Sequence, residues 1–250
     1  MSTVASASPG LRLAGISKSF AGQRVLDGLD LTARPGRVYG LLGLNGAGKS
    51  TAFNIALGLL RPDAGSVEVL GAPFRRECLA QVGALVNGPA FFPQLSARRN
   101  LLVHCRLTGT ATEVIDPLLE VVDLAQAGRK RAGRFSTGMK VRLALAMALL
   151  TDPAVLILDE PQNGLDPAGM IELRDLVRVL ADEGRTVVVS SHQLGEMARI
   201  SDDIGVLAAG RLVYQGPLER LAGIDDPRAL EAAFLEAQLE IGRASCRERV

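Results

Sequence analysis

The stretch LLGLNGAGKST, Leu41 to Thr51, constrains this 250-residue chain more than any other. From Gly43 to Ser50 it has the form G-x-x-x-x-G-K-[ST]; it follows a β-rich run, VYGLLG, and opens a helical pattern from Lys49 to Leu60. A strand that turns through glycines into a helix aims several backbone N–H groups at one point, where the helix dipole adds favourable partial charge. Phosphate oxygens suit such a cradle. A Cβ at the positions of close approach is expected to hold phosphates away, which accounts for Gly43, Gly46 and Gly48. The lysine stands out because the chain otherwise prefers arginine: Lys49 is one of four lysines among 28 basic residues. A compact ammonium on a flexible stem serves as a point charge where a planar guanidinium needs more room. The stretch therefore predicts a nucleoside triphosphate site, with Lys49 on the β- and γ-phosphates and the Ser50 hydroxyl on Mg²⁺.

Short β-rich runs alternate with helical patterns along the rest of the chain. VGALV precedes Ala97–Leu107, AVLILDE precedes Pro167–Ala181, and RTVVVSS precedes Gln193–Ile200. Such alternation predicts an α/β fold with a mostly parallel sheet, and near-continuous apolar runs such as AVLIL and TVVV suit strands buried on both faces. LDLTAR, SVEVL and RLVYQG alternate more and suit an antiparallel sheet. Ser96 to Leu149 reads as a mostly helical insert with breaks near Thr108–Thr112 and Gly128–Gly133. The expected organisation is an arm without structure over 1–10, one domain over 11–240 with a helical subdomain at about 88–150, and a non-native or disordered tail over 241–250. The tail, IGRASCRERV, follows an amphipathic helical pattern, PRALEAAFLEAQLE, and breaks with it abruptly.

Composition narrows the function classes. A net charge of +1 gives no general electrostatic attraction to nucleic acid or anionic lipid, and no nucleic-acid partner is expected. The three cysteines, Cys78, Cys105 and Cys246, lack metal-ligand spacing and suit reduced thiols in a cytosolic protein. The longest apolar run, Leu143 to Leu150, falls far short of the ~20 residues a membrane span needs, so any membrane role is expected to come through a partner.

Two further stretches carry chemistry. In AVLILDEPQNGLDP an apolar strand ends in two adjacent carboxylates. Successive strand residues point opposite ways, so the pair can divide the work: Asp159 toward Mg²⁺ and Glu160 toward the attacking water. In RFSTGMKVRLALAMALL, Ser136 or Thr137 caps a helix with Gly138 in its first turn, a second helix N-terminus suited to phosphate, although standing alone it reads first as a plain cap on a core helix.

Together these segments resemble the ATP-binding subunit of ABC transporters, from about Leu11 to Glu240. GLNGAGKST is similar to the family's Walker A motif, LILDE to its Walker B, FSTGM to its signature, NGLDP to its D-loop and SSHQLGEM to its switch-histidine segment. The resemblance implies a P-loop NTPase core with an antiparallel β subdomain and a helical insert carrying the signature. It implies ATP and Mg²⁺ as cofactors, with Gly43, Asn45, Gly46, Ala47, Gly48, Lys49, Ser50 and Thr51 around the nucleotide and Phe20 stacked on the adenine. It implies head-to-tail pairing with a second such subunit, a copy or a sister, so that Ser136 and Gly138 meet the γ-phosphate held by Lys49 of the other. His192 would contact that phosphate as a catalytic partner of Glu160, and Asp166 would communicate across the dimer.

Four departures from the family pattern stand out. Asn87 replaces the usual Gln as a possible Mg²⁺ ligand, one methylene shorter. Thr137 and Met139 replace Gly and Gln in the signature, Leu44 replaces Pro in Walker A, and Gln162 replaces Thr after Walker B. GALVNGPAFFP and IGVLAAGRLVYQGPLERL look most like the branch that powers bacterial export of antibiotics and lantibiotic-type peptides. That branch works on the cytoplasmic face of the membrane with a separate permease, contacted by the segment around Ser96–Leu107. The alternatives are a soluble ABC ATPase, such as an iron–sulfur cluster assembly subunit, and a degenerate subunit that binds ATP without turnover.

Overall fold

The computed structural model describes residues 8–88 and 90–221. The amphipathic stretch after Pro227, the tail over 241–250 and Cys246 lie outside the described residues. In chain order the elements are β1 (Leu11–Phe20), β2 (Gln23–Ala33), β3 (Arg37–Leu42), α1 (Lys49–Ala56), β4 (Ala64–Val69), β5 (Ala72–Pro73), β6 (Val82–Leu85), α2 (Ala97–Thr108), α3 (Ile115–Val121), α4 (Thr137–Leu149), β7 (Val155–Leu158), α5 (Pro167–Asp182), β8 (Thr186–Ser191), α6 (Leu194–Ile200), β9 (Asp203–Ala208), β10 (Arg211–Pro217) and α7 (Leu218–Leu221).

Two sheets form. The larger has the order β10-β9-β3-β8-β7-β6, parallel from β9 to β6. The smaller, β2-β1-β4-β5, is antiparallel throughout. The alternation read in LDLTAR and SVEVL belongs to this smaller sheet. RLVYQG differs: it is β10, the antiparallel edge of the large sheet, paired with β9. Its side chains alternate because it is an edge strand with one face open, the case in which a two-residue period survives.

The period-two rule also explains why the large sheet sits between two apolar layers. Along β3, Val38 and Leu42 pack with the helices α2–α6, while Tyr39 and Leu41 pack with α1 and the small sheet. Leu156 and Leu158 of β7 face the first layer and Val155 and Ile157 the second; Val187 and Val189 of β8 oppose Val188 in the same way. All these side chains are at most 1% exposed. Each such burial stabilises the fold by about 1.5–3 kcal/mol relative to exposure. Long crossovers carry the chain back between parallel strands, and the crossover from β6 to β7 contains α2, α3 and α4, the expected helical insert.

Strand order fixes the site. β3, β8 and β7 are neighbours, and their register aligns Leu42 with Ser191 and Val189 with Leu158. Their next residues, Gly43, His192 and Asp159, therefore leave the sheet at one edge. That is the carboxyl end of the strands, where open α/β sheets place their ligands. Gly10 donates to the Ala33 carbonyl and accepts from Leu70, so the paired backbone begins one residue before Leu11. No described helix is long and apolar enough to cross a membrane.

Candidate nucleotide site

The loop between β3 and α1 adds a reason for its glycines that the sequence did not reveal. A Cβ at Gly43 would lie 2.7 Å from the Leu207 carbonyl, and one at Gly48 would lie 2.7 Å from the Leu26 side chain. Gly46 has φ of 84° and an open surrounding, so its requirement is conformational. The chain's own packing by itself excludes side chains at Gly43 and Gly48. Gly48 caps α1 without any side-chain hydrogen bond, leaving the N–H groups of the first turn, including those of Ser50 and Thr51, aimed at the loop. Asn45 and Leu44 are exposed, which explains why Leu is accommodated in place of Pro.

Lys49 folds back into this loop. Only 5% exposed, its ammonium donates to the Gly43 carbonyl at 2.7 Å and the Leu44 carbonyl at 3.2 Å, and pairs with Glu160 Oε1 at 3.1 Å. A buried cation is tolerable only with such partners.

The two carboxylates after β7 do diverge. Asp159 accepts from the Ser50 hydroxyl at 2.7 Å on Oδ2 and from the Ser190 hydroxyl at 2.5 Å on Oδ1. Glu160 takes a left-handed backbone, φ 46°, uncommon for a residue with a Cβ and a feature of functional sites. Its Oε2 accepts from Asn163 Nδ2 at 2.7 Å and lies 2.9 Å from His192 Nδ1. Burial works against the Glu160 charge, but hydrogen bonds from Asn163, Lys49 and His192 and the Lys49 charge together hold its carboxyl below the ordinary glutamate range. An ionised carboxylate only accepts, so His192 carries its proton on Nδ1 in this arrangement.

Ser50 and Asp159 supply a hydroxyl and a carboxylate within hydrogen-bond distance, a hard-oxygen pair that fits Mg²⁺, which takes one or two protein ligands and keeps water or substrate phosphate for the rest. No group of three His, Cys, Asp or Glu that could hold a metal occurs among the described residues. Asn87 sits in a left-handed turn two residues past β6, φ 61° and exposed, and no hydrogen bond joins it to Ser50, Asp159 or Glu160 among the described residues.

Other expected site residues lie apart. Ser136 caps α4 by accepting from Met139 N at 3.3 Å, and Asp166 caps α5 by accepting from Gly169 N at 2.9 Å. Ser136, Gly138, Gly164 and Asp166 line one depression, and no hydrogen bond or ion pair joins it to Lys49, Asp159 or Glu160 among the described residues. A Cβ at Gly138 would meet nothing closer than 3.8 Å, so this chain's own packing does not demand glycine there. Phe20 is 45% exposed at the end of β1, with the Lys18 ammonium 5.6 Å from its ring centroid. It is not a core residue.

Sequence reasoning missed Asn163 and Ser190, both in direct contact with the carboxylate pair. The signal for Ser190 was available: two consecutive serines end an otherwise apolar strand, TVVVSS, where buried hydroxyls need partners.

Comparison with known proteins agrees with this architecture. Residues 26–163 match the ABC transporter family. The bacitracin transport ATP-binding protein BcrA of Bacillus licheniformis is 40% identical over 216 residues, 84% of this chain and 71% of that protein. The lantibiotic transport ATP-binding protein SrtF of Streptococcus pyogenes is 37% identical over 205 residues, 82% of this chain and 90% of that protein. A solved ATP-binding subunit of an ABC transporter superposes with a TM-score of 0.78 at 25% identity, covering 91% of this chain and 98% of that one. The chain belongs to the ABC transporter family, as an ATP-binding subunit.

Proposed function

We propose that this chain hydrolyses ATP to power export of a small molecule or peptide of the antibiotic or lantibiotic type through a separate transmembrane permease. The observation that carries the hydrolytic part is Glu160: an ionised carboxylate, held by Lys49, Asn163 and His192 at the mouth of a phosphate-binding loop. The export part is supported by relatives near 40% identity that are bacitracin and lantibiotic transport ATP-binding proteins. No observation favours the soluble assembly alternative.

In this reading the α1 N-terminus and Lys49 bind the triphosphate, and Lys49 exchanges its loop carbonyls and Glu160 for phosphate oxygens. Glu160, relieved of that pairing, accepts a proton from the attacking water, and His192 keeps its carboxylate oriented. Ser50 and Asp159 would hold Mg²⁺, with Asn87 as a further ligand; the ion would supply positive charge to offset that of the phosphates. Phe20 offers its exposed ring to adenine. Ser136 and Gly138 meet the nucleotide of a second subunit, which explains a glycine that its own chain does not need, and Asp166 lies in the same depression on that contact face. The subunit pair sits on the cytoplasmic face of the membrane, with the segment around Ser96–Leu107 against the permease. The domain boundaries proposed from sequence, 11–240 with a helical subdomain at about 88–150, define the unit.

The test is affinity purification of the tagged chain, truncated before Gly242, from gently solubilised native membranes in the presence of ATP. Near-stoichiometric recovery of a polytopic membrane protein is expected. Recovery of soluble partners alone would overturn the export reading in favour of the assembly class.

A further inference from the structure

We propose that Ser190 is a positioning residue whose single hydroxyl sets the two carboxylates of the site in their separate directions. This inference rests on reading the site as one for Mg²⁺ and ATP. Ser190 is the penultimate residue of β8 and is fully buried. Its Oγ lies 2.5 Å from Asp159 Oδ1 and 2.9 Å from the Glu160 backbone nitrogen. The roles follow from the partners. An ionised carboxylate can only accept and a backbone N–H can only donate, so the hydroxyl gives its proton to Asp159 and accepts from Glu160.

One atom thereby touches two consecutive residues with different tasks. With Oδ1 engaged, Asp159 turns Oδ2 to the Ser50 hydroxyl. With its N–H tied to the same oxygen, Glu160 is held in its left-handed backbone, and its side chain leaves toward Lys49, Asn163 and His192 instead of following Asp159. Plain strand alternation does not produce this divergence, because β7 ends at Leu158 and neither carboxylate belongs to the strand. The neighbouring hydroxyl does not duplicate the role. Ser191 Oγ accepts from Gln162 Nε2 at 2.8 Å and from Gln193 N at 2.9 Å. The end of β8 thus grips the chain after β7 at three points, Asp159, Glu160 and Gln162, and of its two hydroxyls only that of Ser190 reaches the carboxylate pair.

Ser190→Ala removes the hydroxyl, and Ser190→Thr restores one. Both are compared with wild type for binding of a fluorescent ATP analogue with and without Mg²⁺, for kcat and KM, and for melting temperature without nucleotide. In Ser190→Ala, affinity without Mg²⁺ is expected to stay at the wild-type value. The tightening that Mg²⁺ brings and kcat should each fall about 10–100-fold, the usual effect of removing a partner that orients a metal ligand. KM should change little, and Ser190→Thr should recover most of both losses. Wild-type Mg²⁺ response and kcat in Ser190→Ala would overturn the proposal. So would a parallel loss of Mg²⁺-free binding and melting temperature that Thr does not repair, since that is a packing defect. Wild-type protein that binds no nucleotide would instead overturn the reading of the site, and this inference with it.

Discussion

Lys49 and Glu160 neutralise each other across the phosphate-binding loop, with 3.1 Å between ammonium and carboxylate. The cation expected to bind phosphate and the base expected to activate water therefore occupy one another in this arrangement. In the proposed mechanism a triphosphate would compete for the lysine and so free the glutamate, coupling binding to activation through this one ion pair.

Lys49→Ala is expected to abolish nucleotide binding. It also leaves the Glu160 carboxylate without its nearest cation, so melting temperature should fall modestly, since breaking a part-buried pair strands the partner. Equilibrium titration with a fluorescent ATP analogue checks the first effect. Unchanged affinity would refute the phosphate-loop assignment.

Glu160→Gln should bind ATP, accumulate a dimer and lose most turnover, about 10²–10⁴-fold for a missing general base. Near-wild-type hydrolysis would remove Glu160 from the mechanism. The same variant reports on acid stability. The native Glu160 carboxyl is held below its ordinary range, so its contribution is complete above the unfolded value of about 4.3 and is lost as pH falls through the native value. The stability gap between wild type and Glu160→Gln should therefore shrink below about pH 4. Chemical denaturation across that range measures it.

Gly138→Ala separates fold from assembly. The new methyl meets nothing closer than 3.8 Å in its own chain and sits in the first turn of α4, where alanine is the better helix former by roughly 0.5–1 kcal/mol. Melting temperature should hold or rise while ATP turnover and ATP-induced dimerisation are lost. Full activity would show that the γ-phosphate of a second subunit does not meet this position.

Asn87→Gly tests the shortened amide. Asn87 lies in a left-handed turn, a conformation that glycine adopts freely and glutamine does not. Stability should be kept, and turnover should drop if the amide serves Mg²⁺ as proposed. Unchanged Mg²⁺ dependence of turnover would take Asn87 out of the site. The more obvious change, Asn87→Gln, is confounded by roughly 1–2 kcal/mol of backbone strain.

Much of this architecture was legible because its signals are local. Apolar runs such as VLIL and TVVV declare strands, the glycine–lysine turn declares its loop, and DE after a strand declares carboxylates at a sheet edge. What was not legible came from long-range packing. The packing constraints on Gly43 and Gly48 lie in Leu207 and Leu26, residues that only the folded sheets bring near. β10 looked like a member of a separate antiparallel sheet, because an edge strand has the same alternation whichever sheet it borders. Asn163 and Ser190 were overlooked because a polar residue beside a motif carries no mark of its partner.

The strand order β9-β3-β8-β7 also bears on how the protein is made. β3 is made long before its partners: both of its hydrogen-bonded neighbours in the large sheet belong to Thr186–Ala208. Until that late segment leaves the ribosome, the strand feeding the phosphate loop has no partners in its own sheet, and His192 and Ser190 do not yet exist. Parallel pairing of such sequence separation carries a loop-closure cost before any contact rewards it. A nascent chain that has not yet reached His192 therefore lacks both side chains that β8 and the residue after it bring to Asp159 and Glu160, and the site cannot assemble before they are made.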